Sequence, residues 1–218
     1  MSNGYVRILA AGGAAVLVAA LGFPAASAAA TAKTWTVQPG GAVRAQAISG
    51  LSTRFTFTDT KTGSVTTCPS STASGKLRSG SGIPGSDAGW LSAVSIPRCV
   101  APGGGPIFTL QPASLPWHVN FSSYNAARGV VRGTISHMGI TMSSSQGCSM
   151  AIGGTSAGSL GKVAFRYTDS TGRLTLLPTD NLHFYDVSSG CLGGWNDNDP
   201  ATLSAIYTVS PKQAITSP

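Results

Sequence analysis

Glutamate is absent from this chain of 218 residues, and all seven acidic side chains are aspartates. Charged residues make up only 10% of the sequence, whereas glycine alone accounts for 28 positions. Glutamate is common on exposed helix surfaces, while threonine favours strands and glycine and serine favour turns. The composition therefore argues against a helical protein. It also argues against a glycosidase, because paired catalytic carboxylates normally include a glutamate.

Long apolar runs are missing beyond residue 28. The one such run, residues 8–21, follows a start with a single positive charge and precedes small residues at 26–28 (ASA). This arrangement is typical of a secretory signal peptide, and the run is short for a membrane span. We predict a cleaved signal peptide over residues 1–28 and a single all-β secreted domain over residues 29–218. The predicted location is extracellular or at the cell envelope, without stable membrane insertion.

The four cysteines show neither C-x-x-C spacing nor a Cys–His cluster of the zinc-binding kind, so we expect no metal and no cofactor. In an exported protein an even number of cysteines predicts disulfides, and three pairings are possible. We favour Cys68–Cys99 and Cys148–Cys191, because each pair closes a loop within its own half of the chain.

The chain carries a formal net charge of +7, but its basic residues are spread thinly along the sequence. Nucleic-acid-binding proteins usually show a clustered basic stripe with interleaved aromatic residues, so we expect no nucleic-acid partner. Attraction to an anionic cell-wall polymer or polysaccharide is the partner hypothesis, and plain solubility is the alternative. The oligomeric state does not follow from the sequence.

Short alternating segments separated by turn residues predict strands along most of the chain. The clearest is residues 115–121 (LPWHVNF), where every second residue is apolar. Residues 69–89 look instead like a long loop with one short strand. Over residues 129–142 the alternation breaks near Ser136, which indicates a bulge or two strands. We predict an all-β fold, either a β-sandwich or a β-barrel, and the sequence leaves both open.

One motif is typical of an enzyme. Residues 154–158 fit G-x-S-x-G around Ser156, and Asp169 or Asp180 and then His183 follow in the chain order of an α/β-hydrolase triad. Such hydrolases place a helix directly after the serine, whereas the next residues here look like a strand. We therefore predict that the protein is not an enzyme, with a small serine hydrolase using Ser156 as the alternative.

The remaining histidines and most tryptophans are interpreted as structural. His118 falls on the polar face of its strand. His137 shares a face with Val131 and Ile135, which predicts a half-buried imidazole. Three tryptophans lie in strand-like segments and are predicted core residues: Trp35, Trp90 and Trp117.

The loop after Cys191 is the predicted ligand site. Its sequence GGWNDNDP, residues 193–200, places Trp195 close to Asp197 and Asp199. The indole could stack on a sugar ring while the carboxylates bind hydroxyl groups. Two alternatives stay open: a calcium site, although the spacing misses an EF-hand loop, and an Asx-rich turn with Trp195 folded back on the core.

Three segments are similar to small secreted proteins of Streptomyces-type actinobacteria: residues 34–41 (TWTVQPGG), 115–121 (LPWHVNF) and 207–211 (YTVSP). The resemblance covers nearly all of residues 29–218, and the alanine-rich N-terminal segment agrees with it. It implies a bacterial, extracellular, disulfide-bonded protein. That group carries no assigned activity, so the resemblance transfers no functional residues.

These observations predict a secreted, non-enzymatic, β-rich protein of the cell envelope or the extracellular medium. The specific hypothesis is a cell-wall or carbohydrate binding module that uses Trp195, Asp197 and Asp199. A serine hydrolase is one alternative. A secreted protease inhibitor that presents a bait loop, such as residues 69–89, is the other.

Overall fold

The computed structural model describes residues 33–50, 54–179 and 181–218. The predicted signal peptide, residues 1–28, lies outside the described residues, as does Asp180. No helix within the described residues is long and apolar enough to cross a membrane. The strands of the described residues are, in chain order, β1 (Thr34–Gln38), β2 (Gly41–Ala47), β3 (Phe55–Asp59), β4 (Val65–Cys68), β5 (Thr72–Leu77), β6 (Gly80–Pro84), β7 (Gly89–Val100), β8 (Ile107–Ala113), β9 (Trp117–Asn125), β10 (Val130–Ser144), β11 (Ser149–Gly153), β12 (Gly161–Thr168), β13 (Arg173–Leu177), β14 (Leu182–Tyr185), β15 (Pro200–Ser210) and β16 (Ala214–Thr216).

Most of these strands occupy eight neighbouring positions in a curved sheet. We call each position a line, and a line consists of either one long strand or two consecutive strands placed end to end. The long strands β7, β10 and β15 each form one line, and five lines consist of two consecutive strands: β2/β3, β4/β5, β8/β9, β11/β12 and β13/β14. Neighbouring lines pair antiparallel in the order in which they occur in the chain. The last line, β15, pairs back onto β2 and β3. The predicted all-β fold is confirmed, and it is a closed up-and-down barrel.

The barrel has an upper and a lower half, which meet where the five lines are interrupted. The upper half contains β2, β5, β9, β12 and β13, and the lower half contains β3, β4, β8, β11 and β14. The long strands belong to both: β10 pairs with β9 and β12 in the upper half, and with β8 and β11 in the lower half. The register of β10 against β12 shifts between Ser136 and Met138, so the predicted irregularity is a bulge at His137.

Both predicted disulfides are present, and both lie in the lower half. Cys68, at the end of β4, is bonded to Cys99 on β7. Cys148, just before β11, is bonded to Cys191 in the connection between β14 and β15. The favoured pairing is therefore confirmed, and each disulfide joins neighbouring parts of the barrel that are distant in sequence.

Alternating side chains fill the interior of the barrel. On β12 the inward residues Val163, Phe165 and Tyr167 are at most 3% exposed, while the residues between them face solvent or are half-buried. The alternation predicted over residues 115–121 is confirmed from the start of β9 onward. Leu115 precedes the strand and is exposed.

A small sheet of β1, β6 and β16 caps the upper end. β1 precedes the first line, β16 follows the last, and β6 lies in the connection from β5 to β7. Trp35 of β1 packs against Phe121 of β9, with ring centroids 5.1 Å apart. The prediction of a long loop with one short strand over residues 69–89 is wrong, because β5 and β6 both lie there. Their glycine- and serine-rich sequences lack the apolar alternation that identifies a strand.

Asp169, in the turn after β12, holds β16 against the barrel. Its Oδ2 accepts a hydrogen bond of 3.3 Å from the backbone N–H of Ile215. Its Oδ1 is buried and has no hydrogen-bond partner among the described residues. Burial raises the pKa of Asp169 to about 6, although the hydrogen bond from Ile215 opposes the shift.

The Asp169→Asn variant is therefore expected to be more stable than the wild type at pH 7, by about 1–2 kcal/mol. The folded protein holds the Asp169 proton more tightly than the unfolded chain does. The resulting stability is complete below about pH 4 and is lost as the pH rises through about 6. Urea unfolding of both proteins between pH 4 and pH 7 measures the difference, which should grow with pH. If the two proteins differed in free energy of unfolding by the same amount at pH 4 and at pH 7, the prediction would be contradicted.

Candidate functional site

Five outward-facing side chains form a row across the upper half. The strand register places them directly opposite one another on five neighbouring strands: Lys76 on β5, Trp90 on β7, His118 on β9, Ser136 on β10 and Lys162 on β12. Side chains that are directly opposite in antiparallel strands share a face and have Cβ atoms about 5 Å apart. The row is therefore a continuous strip of outer surface.

Trp90 is the exposed aromatic residue of this row. Its exposed fraction is 38%, whereas the predicted core residues Trp35 and Trp117 are at most 3% exposed. The core prediction for Trp90 is wrong, because its neighbours Gly89 and Leu91 occupy the inward positions of β7. In a strand, the residues on either side of an inward position face outward. An inward assignment of Leu91 could therefore have identified Trp90 as an outward residue.

Two imidazole rings contact each other on this surface, and one of them, His118, lies directly opposite Trp90. The ring centroids of His118 and His137 are 4.2 Å apart, and their planes are inclined by 33°. His137 is the bulged residue of β10, has a φ of 60°, and is exposed. The prediction that it is half-buried on the face of Val131 and Ile135 is wrong, because the bulge turns it outward. His118 lies on the outer face of β9, as predicted.

A hydrogen-bond network fixes the position of His118. Its Nδ1 lies 2.6 Å from Oδ1 of Asp87, in the connection from β6 to β7. The backbone N–H of Asp87 donates to Oδ1 of Asn120 (2.9 Å), and Nδ2 of Asn120 donates to Oγ of Ser136 (3.0 Å). The hydrogen bond with His118 lowers the pKa of Asp87, and desolvation opposes this only in part. Asp87 is therefore an ionised carboxylate that orients the imidazole.

Two arginines without an acidic partner lie on the same outer surface, four residues from the row along β10 and β12. Arg132 on β10 is directly opposite Arg166 on β12. Like charges in directly opposed positions destabilise a β-ladder. Within the described part of the chain, neither guanidinium forms an ion pair with a carboxylate. Arg78, just after β5, is close enough to Asp87 to help lower the pKa of its carboxyl group. We call this surface the cationic face, and its residues are Lys76, Arg78, Trp90, Arg132, His118, His137, Lys162 and Arg166.

Acidic residues are concentrated at the opposite end of the barrel. Asp59 ends β3, and Asp186, Asp197 and Asp199 lie in the connection between β14 and β15, at the lower end. The cationic face lies on the upper half and contacts the carboxylate of Asp87. Among the described residues, the upper half still contains Asp87 and Asp169, and the lower half contains the basic residues Lys61 and Arg98. The excess of positive charge is therefore larger in the upper half, although both halves contain acidic and basic residues.

The predicted ligand loop packs onto the lower end of the barrel. Trp195 is 6% exposed and meets Phe184 edge-on, with ring centroids 5.0 Å apart. Among the arrangements considered for this loop, the structure has the one with Trp195 folded back on the core. Asp197 is exposed, and its Oδ1 accepts a hydrogen bond of 2.8 Å from the backbone N–H of Val187. The indole therefore offers little surface to a sugar ring.

Asp199 is fully buried and binds Lys61. Its Oδ1 lies 2.8 Å from Nζ of Lys61, and its Oδ2 accepts a hydrogen bond of 2.9 Å from Nδ2 of Asn196. The hydrogen bond with Lys61 lowers the pKa of Asp199 and raises the pKa of Lys61. These contacts tie the loop after Cys191 to the turn after β3, and they occupy the carboxylate.

Ser156 lies in an exposed turn between β11 and β12, with a strand after it instead of a helix. Its backbone N–H donates to Oγ of Ser159 (3.1 Å), whose hydroxyl donates to the Ser156 carbonyl oxygen (2.5 Å). His183 lies on β14 with its ring stacked on Tyr185. In residues 33–50, 54–179 and 181–218, no hydrogen bond joins the Ser156 hydroxyl to His183 or to Asp169.

The described residues contain no group of three or more histidine, cysteine or acidic side chains placed to hold a metal ion. No known protein family, curated protein or solved structure matches this chain. The cationic face is therefore the surface of the described residues that we consider for binding.

Proposed function

We propose that this protein is an extracellular, non-enzymatic binding protein that holds an anionic cell-wall polysaccharide on its cationic face. The observation that carries the proposal is the pair of directly opposed arginines, Arg132 and Arg166, on the same half of the barrel as an exposed Trp90. The two disulfides support an oxidising compartment outside the cytoplasm.

The arginine pair favours an anionic ligand on electrostatic grounds. Two opposed guanidinium groups repel each other in the free protein, and a phosphate or carboxylate between them would remove this repulsion. A guanidinium can bind such a group with two parallel hydrogen bonds, which are shorter and stronger than neutral ones. Arg132 and Arg166 would therefore bind the charged groups of a polymer.

Trp90 favours a sugar over a simple anion. An exposed indole offers an apolar face on which a sugar ring can stack, and it lies between Lys76 and His118 in the row. Five neighbouring strands at the usual spacing give the row a length of about 19 Å along the curved wall, or about half of the way around the eight-line barrel. A polymer of several linked sugar residues would follow this curve. A charged polysaccharide would use the tryptophan and the cations together.

Co-sedimentation with purified Gram-positive cell walls over a salt series tests the proposal. The variants Trp90→Ala and Arg166→Gln are each expected to weaken retention about tenfold, which corresponds to the loss of one stacking contact or one charge-assisted hydrogen-bond pair. Both side chains point outward, so neither change should affect folding.

Arg98→Gln is the matched control, because Arg98 is an exposed arginine in the lower half of β7. It changes the net charge as Arg166→Gln does, but away from the cationic face. A binding site on the cationic face predicts a smaller loss of retention in Arg98→Gln, because exposed charges are screened over about 8 Å at physiological salt. If Arg98→Gln and Arg166→Gln lost retention equally, only the net charge of the protein would be responsible. Unchanged retention on walls stripped of their anionic polymer would also contradict the proposal.

A further inference from the structure

An apolar cavity of about 90 Å³ lies inside the upper half of the barrel, behind the cationic face. Ile215 of the cap contacts it from above, and Phe55 and Met138 contact it near the junction with the lower half. Its side wall is formed by inward residues of the eight lines. The cavity therefore lies inside the barrel, on the other side of the wall from the cationic face.

The polar side chains that line the cavity are already hydrogen-bonded elsewhere. The Tyr207 hydroxyl lies 2.8 Å from Oγ of Ser71. The Tyr167 hydroxyl donates to the carbonyl oxygen of Gln213 (3.0 Å) and accepts from its N–H (2.8 Å). Oε1 of Gln213 accepts from the N–H of Gly40 (2.9 Å). A buried water needs two to four polar partners, so this space does not favour water.

Small side chains leave the space open. Ala45 on β2 and Ala73 on β5 line the cavity and lie directly opposite each other. An eight-stranded barrel is just wide enough for larger side chains to fill it, so two neighbouring alanines leave a gap. The wall cannot move inward to close this gap, because each line is hydrogen-bonded to two neighbours around a closed ring.

We infer that this cavity is a binding site for a small neutral apolar molecule, such as a short hydrocarbon. An apolar protein cavity of about 150 Å³ stays dry and takes up benzene or xenon. The present cavity is smaller and suits a molecule of about three to five non-hydrogen atoms. A charged ligand is excluded, because it would lose its hydration without gaining a polar partner. The inference is independent of the function proposed for the cationic face.

Xenon is the probe for this site, because it is apolar and fits the space. In methyl-labelled wild-type protein, rising xenon pressure is expected to shift the methyl signals of Val43, Leu174 and Ile215, which line the cavity. The shifts should saturate and be several-fold larger than those of Ile152 and Leu203, which are buried in the lower half. Shifts that do not saturate, or that are equal in both halves, would overturn the inference.

Two variants change the cavity in opposite directions. Ala45→Leu places three more carbon atoms in the space, so the saturable xenon shifts should disappear. Leu174→Ala enlarges the space and is expected to make the protein take up benzene, seen as a higher midpoint of thermal unfolding in benzene-saturated buffer. Wild-type protein should show no such increase. Xenon shifts that persist in Ala45→Leu, or a Leu174→Ala variant indifferent to benzene, would overturn the inference.

Discussion

Gly133→Ala is expected to lower the free energy of unfolding by at least about 3 kcal/mol, because the new methyl group has no room. A Cβ atom at this position of β10 would overlap the carbonyl oxygen of Asn120 and lie 2.6 Å from Cζ of Phe165. The carbonyl belongs to the neighbouring strand β9 and cannot move without breaking the ladder. Phe165 is 2% exposed and packs in the core.

The local backbone explains why glycine is needed there. The register between β9 and β10 shifts between Arg132 and Gly133, because β9 has one extra residue there, Ser122. Next to this bulge, the carbonyl oxygen of Asn120 occupies the space that a Cβ atom of residue 133 would need. A glycine inside a strand often marks such an approach of another backbone. Gly133 therefore leaves room for the Asn120 carbonyl and for the Phe165 ring beside the bulge of β9.

Gly139→Ala is the matched control in the same strand. A Cβ atom there would lie 3.4–3.6 Å from its nearest neighbours, Ser114 and Ala113, which is an ordinary van der Waals contact. We expect a change of less than about 1 kcal/mol. Urea unfolding followed by tryptophan fluorescence measures both variants. If the two variants differed by less than about 1 kcal/mol, the close approach at Gly133 would be refuted.

The fold class was predictable because the evidence for it is local. Residues 117–121, 162–167 and 202–209 each alternate apolar and polar side chains, and each is a strand or part of one. Closure of the barrel was not predictable, because it depends on β15 pairing with β2 and β3 from the other end of the chain. The signal peptide and the actinobacterial resemblance stay predictions.

The candidate site was less predictable than the fold. Arg132 and Arg166 look isolated in the sequence and become neighbours only through the register of β10 against β12. Trp195 stands among four short polar residues, a pattern that suits either a ligand loop or a turn, and its contact with Phe184 comes from tertiary packing. A charge pattern in one dimension cannot show which side chains share a face of a closed barrel.

Removal of the Cys68–Cys99 disulfide is expected to have the other large effect. The double variant Cys68→Ala/Cys99→Ala should lose about 4 kcal/mol from loop closure alone, since 31 residues separate the two cysteines. The disulfide also holds a weak boundary of the barrel. β4 and β7 are registered there at one pair, Thr67 with Val100, so few backbone hydrogen bonds remain to hold them together.

The Cys148–Cys191 disulfide is the matched comparison. It spans 43 residues, so the same chain-entropy model assigns it about 4 kcal/mol as well. The segments it joins are also connected by hydrogen bonds, because the N–H of Ser188 donates to the carbonyl oxygen of Ser149 and the N–H of Ser149 donates to Oγ of Ser188, both at 2.9 Å. Its removal should therefore loosen the lower-end loop while leaving the barrel wall paired.

The two double variants should thus differ in where they open, even where their losses of stability are similar. Amide hydrogen exchange distinguishes them, because protection follows local opening. In Cys68→Ala/Cys99→Ala, exchange at Thr67 and Val100 should rise by at least tenfold and spread along the lower half of β7. In Cys148→Ala/Cys191→Ala, these two amides should stay protected and the loop amides should exchange faster. Equal protection of Thr67 in both variants would show that backbone pairing alone holds β4 against β7.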